Sequence, residues 1–455
     1  MKAFPLMLLG AGLLAGCNST PSSTTTDAAG TSAAALLTPG PWRGELAIQG
    51  QQLPFLFEVK TEGGKPVVYL INKGLNGEER LRCDEISAAG DSATIKLHVF
   101  DAALVVRADT TRDIAVPDSA VGAAPAQSTV HKSKLKGVWV KYDAKTPYRV
   151  PLVAEKGELL LPRYDEEQPS TAFDGTWKAT FTEEQKASYP AVGILKELDK
   201  GEIRGTFLTT TGDYRYLSGY RENGRIKLST FDGSHAFLFV GQAPEGRLHN
   251  SYTLGTLKGD FYAGKSGHEI WTATLDPKAK LPDADTLTYL KKGESRLNFK
   301  FPSVAEGGSI SPTDAKYRGK VVVLQVLGSW CPNCMDETAF LAPWYAKNKA
   351  RGVEVIGLGY ERSSEYDKAA PRLRKLKERF DIGYDLAVAG VANKDSVARS
   401  LPQLAKFLAF PTTIFLDKKG AVRSIHTGFA GPGTGKYYEE EIAGFNRTVD
   451  KLLKE

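Results

Sequence analysis

Two patterns of apolar and polar positions divide the chain. From Pro41 to about Pro277, apolar residues alternate with polar ones in short runs broken by Gly, Asn and Asp, as in Pro54-Phe-Leu-Phe-Glu-Val-Lys60 and Lys65-Pro-Val-Val-Tyr-Leu-Ile-Asn72. A period of two predicts antiparallel strands, and the lack of long helical periodicity points to closed or sandwiched sheets. Beyond a segment of about Lys278 to Gly293 rich in Lys, Asp and Pro, the pattern changes. There the apolar runs predict a buried strand over Val321–Leu327, a helix over Cys334–Asn348, a strand over Val353–Leu358 and a charged helix over Glu365–Phe380. A short segment Tyr384–Ala387, a helix Lys394–Phe407, hairpin strands Thr412–Leu416 and Val422–His426, and a last helix Tyr437–Leu453 follow. Strands alternating with helices predict an α/β sandwich around a mixed sheet. The expected fold class is multidomain α+β: an antiparallel β barrel or meander region, then an α/β domain.

The β region reads as a duplication. Ile95-Lys96-Leu97 with Phe100-Asp101 recurs as Ile226-Lys227-Leu228 with Phe231-Asp232, Leu135-Lys136-Gly137 recurs as Leu257-Lys258-Gly259, and Trp42 matches Trp177. Order and approximate spacing are kept, so two copies are expected, over 41–165 and 173–277, packed as one body. A linker over 278–293 and an α/β domain over 294–455 complete the division.

The N-terminus carries an address. Lys2 precedes an apolar run from Ala3 to Leu14 and then small residues, the layout of a secretory signal over 1–16, too short to span a bilayer as a helix. Leu14-Ala15-Gly16-Cys17 resembles the bacterial lipoprotein box, which implies cleavage before Cys17, acylation of that cysteine and anchoring to a lipid membrane. The residue after it is Asn18, not the aspartate associated with inner-membrane retention, so the expected place is the cell envelope, with the outer membrane favoured. Residues 17–40, rich in Ser, Thr, Ala and Gly, read as a flexible tether.

Composition excludes some functions. A net charge of +6, from 59 basic against 53 acidic residues spread along the chain, is too diffuse for nucleic-acid binding. The 6 histidines lack metal-ligand spacing, and neither a metal nor a cofactor is expected. Cys83 stands alone among strand residues and reads as a buried apolar side chain.

The chemistry lies in Trp330-Cys331-Pro332-Asn333-Cys334, directly after the buried strand and at a helix start. A thiolate is the nucleophile of disulfide exchange, and a helix N-terminus offers unpaired amide donors and a positive dipole end to a cysteine such as Cys331. Pro332 suits the first helical position, where its missing N–H costs nothing. Cys334 lies one turn on and can attack a mixed disulfide formed by Cys331. Glu337, a turn further, reads either as a proton-exchange partner of Cys334 or as an exposed carboxylate favoured by the helix dipole.

These residues resemble the thioredoxin-like proteins, and more narrowly the TlpA-like membrane-tethered reductases, over about Leu297 to Glu455. The most specific element is Gly328-Ser-Trp-Cys-Pro-Asn-Cys334, and Glu337 and Phe410-Pro411-Thr412-Thr413 fit the same pattern. The resemblance implies a thioredoxin-like fold, thiol-disulfide oxidoreductase activity through Cys331 and Cys334, and a cis-proline at Pro411 facing the dithiol. It also implies that Phe410 pairs with an incoming peptide strand and that Trp330, Pro332 and Asn333 border the substrate. Two departures stand out: Gln325 occupies the place of a buried aspartate, and Phe410 is bulkier than the usual residue and expected to narrow the groove.

A zinc site lacks a second ligand pair, a structural disulfide across so short a loop gains little, and a peroxiredoxin lacks its Thr-x-x-Cys context. In an oxidising envelope the expected role is reduction of disulfide-containing protein substrates, with recharging by a membrane thiol reductant. The alternative is a surface-binding lipoprotein in which the β modules hold a ligand and the thioredoxin-like part only recognises peptides.

Overall fold

The computed structural model describes residues 33–109, 133–144, 146–157, 173–183, 187–222, 224–242, 256–305 and 307–455. The signal segment 1–16, the lipidation position Cys17 and most of the tether lie outside them, as do 158–165 at the end of the first copy. The tether expected over 17–40 ends early. A short helix, Ala33–Leu36, brings Leu36 and Leu37 into the first β module, where both are buried, because two adjacent leucines supply apolar surface that the surrounding small residues lack.

The first module is a nine-stranded antiparallel sheet from Gly40–Ile48 to Tyr148–Lys156, in which every successive pair of strands except Gly77–Cys83 and Ile86–Ala89 is hydrogen-bonded and the first strand also pairs with the last. The sheet is a half-barrel, since strands Gly77–Cys83 and Ile86–Ala89 are its two edges. The second module closes: strand Tyr189–Glu197 pairs with both Gly175–Thr182 and Glu202–Thr209, and a ring of eight strands results. A short extra strand, Gly212–Asp213, hangs from Glu202–Thr209. Matching landmarks of the two modules take matching places. Trp42 and Trp177 sit fully buried in equivalent first strands, and each indole N–H donates to the carbonyl four residues back, Thr38 and Phe173, at 3.0 Å in both copies. Leu135 and Leu257 likewise fall in the next-to-last strands.

The two copies pack as one body through Phe231, whose ring lies 4.8 Å from Phe55 and 5.1 Å from Trp139 between centroids. Polar bonds fix the same junction: Ser229 donates to the Pro54 carbonyl at 2.7 Å and the Trp139 indole to the Gly233 carbonyl at 3.2 Å.

The C-terminal domain has strands β1 (Val321–Leu327), β2 (Val353–Glu361), β3 (Asp385–Val391), β4 (Thr412–Leu416) and β5 (Val422–Thr427) in the order β3-β2-β1-β4-β5. The first three are parallel, and β4 and β5 run antiparallel. Helices α1 (Pro332–Asn348), α2 (Tyr366–Arg379), α3 (Lys394–Ser400) and α4 (Lys436–Lys454) cover the faces. Every residue of β1 is buried, as befits a central strand whose run is apolar except for Gln325. The helix expected over Lys394–Phe407 stops at Ser400, because Pro402 disfavours helical geometry at Leu401. The residues beyond it, Leu404–Lys406, form a strand against Tyr289–Leu290, so the end of the expected linker is paired into this domain.

Helix α2 has a basic face that meets an acidic edge of the first module. Arg372 pairs with Asp101, Lys375 with Glu85, and Arg379 with Asp84 at 2.7 Å. Among the described residues no helix is long and apolar enough to cross a membrane.

Candidate active site

The site starts at Gly328, at the exit of β1. A Cβ there would lie 2.2 Å from the Trp330 indole nitrogen and 2.8 Å from the Tyr360 carbonyl, so only glycine lets the chain turn here. The indole N–H of Trp330 then donates to that carbonyl at 2.8 Å, and the Ser329 amide and hydroxyl both donate to the Glu361 carboxylate at 2.8 Å. Arg362 stacks over the Trp330 ring at 4.1 Å. These bonds hold the loop that delivers Cys331 to the start of α1.

Cys331 is the N-cap of α1, with extended backbone, and Pro332 takes the first helical position. The Cys334 amide donates to the Cys331 sulfur at 3.3 Å, which sets the sulfur among the unpaired amides of the helix end. Both cysteines are free thiols; Cys331 is 5% exposed and Cys334 fully buried. The Phe410–Pro411 peptide is cis, and the Phe410 carbonyl lies 3.8 Å from the Cys331 sulfur. The Phe410 ring turns away into Trp330, Tyr360 and Phe407, at 5.6, 5.7 and 4.9 Å between centroids, so its bulk fills a neighbouring apolar corner.

Below the dithiol, Glu337 is buried, which removes the reading of it as an exposed carboxylate of the first helical turn. It accepts from Gln325 Nε2 at 2.8 Å and from the Thr413 hydroxyl. Gln325 also donates to Thr338 Oγ1 at 3.0 Å and accepts from Tyr384 at 2.9 Å. Glutamine at this strand position therefore serves to orient a carboxylate that comes from the helix. Burial pushes Glu337 up to about 7, against the opposing pull of its hydrogen bonds. Burial also pushes the Cys334 thiol up.

A carboxyl whose folded pKa is raised contributes stability that is fully present below its unfolded value, near 4.5, and lost as pH rises through about 7. Glu337→Gln therefore removes a pH-dependent component on the order of 3 kcal/mol. It is read by comparing urea unfolding of the two proteins at acid and at mildly alkaline pH. A stability difference that stays constant with pH contradicts this account of the carboxyl.

Cys83 is buried in the first module, 3.6 Å from the Leu81 carbonyl, and burial pushes its thiol up to about 12. Among the described residues no group of His, Cys, Asp and Glu is arranged to hold a metal ion.

The family model described as Redoxin matches residues 291–442. The thiol-disulfide oxidoreductase ResA of Geobacillus kaustophilus is 30% identical over 169 residues, which are 36% of this chain and 79% of that protein. The chain belongs to the redoxin family. The thiol:disulfide interchange protein DsbE of Escherichia coli is 26% identical over 185 residues, 38% of this chain and 85% of that protein. A solved structure, a disulfide isomerase homologue from Bacteroides thetaiotaomicron, is similar at 22% identity over 37% of this chain and 93% of that one, with a TM-score of 0.28. The enzyme is a thiol-disulfide oxidoreductase with a thioredoxin-like redoxin domain.

Several residues at the redoxin site escaped the sequence reading. Glu361, at the end of β2, is fully buried and pushed up by burial to about 7; its signal was a carboxylate closing the apolar run Val355–Tyr360. Others come from the second β module, far away in sequence. The Asn333 side-chain amide donates to the Asp213 carbonyl at 3.1 Å, and the Ser234 hydroxyl donates to the Trp330 carbonyl at 3.0 Å. Arg215 is buried between Asp336 of α1, at 2.6 and 2.7 Å, and Glu79 of the first module, with Asp232 at 3.5 Å. Local periodicity carries no signal for such contacts.

Proposed function

We propose that the chain is a membrane-anchored, extracytoplasmic reductase of protein disulfides, with Cys331 as nucleophile and Cys334 as resolving thiol. The observation that carries this reading is the Cys331 sulfur at the N-cap of α1, receiving the Cys334 amide at 3.3 Å, with a second free thiol directly behind it. The Cys331 thiolate attacks one sulfur of a substrate disulfide, forms a mixed disulfide and releases the other sulfur as thiolate. Cys334 then gives its proton to Glu337 and attacks the Cys331 sulfur. The enzyme disulfide forms, the substrate leaves as a dithiol, and two electrons have passed to it. A thiol reductant at the membrane returns the enzyme to the dithiol. Trp330, Pro332, Asn333, Phe410 and Pro411 border the substrate sulfur, and the Phe410 backbone offers strand-like pairing to the polypeptide around it.

The anchor in this proposal is the acylated Cys17, supported by the lipoprotein-box resemblance of Leu14-Ala15-Gly16-Cys17, with the outer membrane favoured. The names of the relatives, which describe disulfide interchange and thiol-disulfide oxidoreduction, agree with the chemistry. The test is capture: with Cys334→Ser in the full chain, mixed disulfides with envelope proteins accumulate through Cys331, and they vanish when Cys331 is also replaced. Absence of any dithiothreitol-sensitive adduct at Cys331 contradicts the proposal.

A further inference from the structure

The entrance to the dithiol is occupied by this chain's own second β module. A disulfide can react only by lining up with the Cys331 sulfur, so the rim around that sulfur has to be open to a second polypeptide. Here Cys331 is 5% exposed and Pro332 is buried as well. On one side the Ser234 hydroxyl holds the Trp330 carbonyl, and on the other the Asp213 carbonyl holds the Asn333 amide. The hairpin tip reaches further across. A Cβ built on Gly212 would lie 3.2 Å from the Asn333 side chain, and one built on Gly428 would lie 3.6 Å from the Gly212 nitrogen. The Asp213 carboxylate also accepts from the Gly431 amide at 2.9 Å, so the tip bridges the dithiol loop and the turn after β5.

The contacts that hold the β modules on the redoxin domain join an apolar cluster shared by Leu97 and Phe100 with Met335 and Leu376, and the ring of His98 on Phe380 at 5.7 Å, to a set of polar bonds. Asp213 and Ser234 bind backbone and amide groups, Arg215 pairs with Asp336, and the basic face of α2 meets Asp84, Glu85 and Asp101. The covalent connection between the β modules and the redoxin domain is the mostly exposed segment that follows strand Gly267–Leu275, so the modules can part from the dithiol as a unit once these contacts open. Open clefts of about 590 Å³ flank the hairpin tip on both sides, so it stands as a ridge with solvent to either hand.

We propose that the two β modules are a gate over the dithiol: the docked arrangement shields Cys331 from protein disulfides, and exchange with a folded substrate requires the modules to swing away. This proposal rests on the reading of Cys331 and Cys334 as the exchanging dithiol. It has the energetic form of any closed-to-open equilibrium, in which a minor open state limits the apparent rate by its population.

Two variants of the full chain test it from different places. Gly212→Leu wedges the hairpin tip away from Asn333, and Arg379→Glu reverses a charge at the far end of α2, on the contact with the first module. Rates are measured with insulin and with hydroxyethyl disulfide. In both variants insulin reduction should rise about tenfold or more, while reduction of the small disulfide changes by less than about twofold. The unaltered chain gives a third reading that depends on no variant: mapped by mass spectrometry, Cys331 should react with iodoacetamide far faster, relative to free cysteine, than with a bulky maleimide-tagged polymer of about 5 kDa. Insulin rates unchanged in both variants, or equal relative reactivity toward the two probes, overturn the gate. Failure of the unaltered chain to reduce even hydroxyethyl disulfide overturns the dithiol reading beneath it.

Discussion

Cys331→Ser is expected to lower the reduction of insulin and of small disulfides by about 10³-fold or more while the protein stays folded. Serine fits the volume of the cysteine and keeps an acceptor at the N-cap, so α1 retains its first turn. The chemistry has no substitute. A hydroxyl is not ionised near neutral pH and does not attack sulfur, and Cys334, fully buried with its thiol pushed up by burial, cannot take the nucleophile's place. Stopped-flow or insulin-turbidity rates check the activity, and circular dichroism checks the fold. Residual activity within tenfold of the unaltered enzyme, about 1.4 kcal/mol in barrier terms, would mean that another group carries the reaction.

Arg215→Ala is expected to cost about 3–5 kcal/mol of stability, the usual penalty for stripping one partner from a buried ion cluster. Arg215 is the cation shared by Asp336 of the redoxin domain, Glu79 of the first module and Asp232 of the second, all with side chains at most 11% exposed. Burial already pushes Glu79 and Asp213 up to about 7, so the cluster is sensitive to loss of its positive charge. Without Arg215 these carboxylates ionise in a poorly solvated place, and the penalty grows as pH rises through that region. Urea unfolding at pH values on either side of it measures both parts. A loss below about 1 kcal/mol, independent of pH, is what an exposed ion pair would give and would contradict the buried cluster.

How far the sequence went depended on the range of the interactions. Period-two runs in the β region and the run of β1, apolar except for Gln325, are local signals, and they marked the strands well. The recurrence of Ile95-Lys96-Leu97 with Phe100-Asp101 as Ile226-Lys227-Leu228 with Phe231-Asp232 pointed to a repeat, and Trp42 and Trp177, matched in the same reading, hold the same bond to a carbonyl four residues back. Cys331, Pro332 and Cys334 were legible for the same reason, since an N-cap, a first-turn proline and a residue one turn on are fixed by helix geometry. Glu337 was half legible: its place on the helix was clear, but its burial depends on Gln325 and Thr413 from neighbouring strands. The over-long helix Lys394–Phe407 was a boundary error at a proline. Arg215, Asp213 and Ser234 could not be read at all, because they meet the dithiol loop across more than 90 residues of chain.

The central claim is that Cys331 and Cys334 interconvert as one dithiol-disulfide pair that reduces its partners. Equilibrating the full chain in graded redox buffers and weighing the trapped Cys331–Cys334 peptide tests it most directly. The account predicts a single two-electron transition, confined to that peptide, at a potential more reducing than about −200 mV. A transition near about −120 mV, the range of a strong oxidant, or no internal disulfide at any potential, would contradict it.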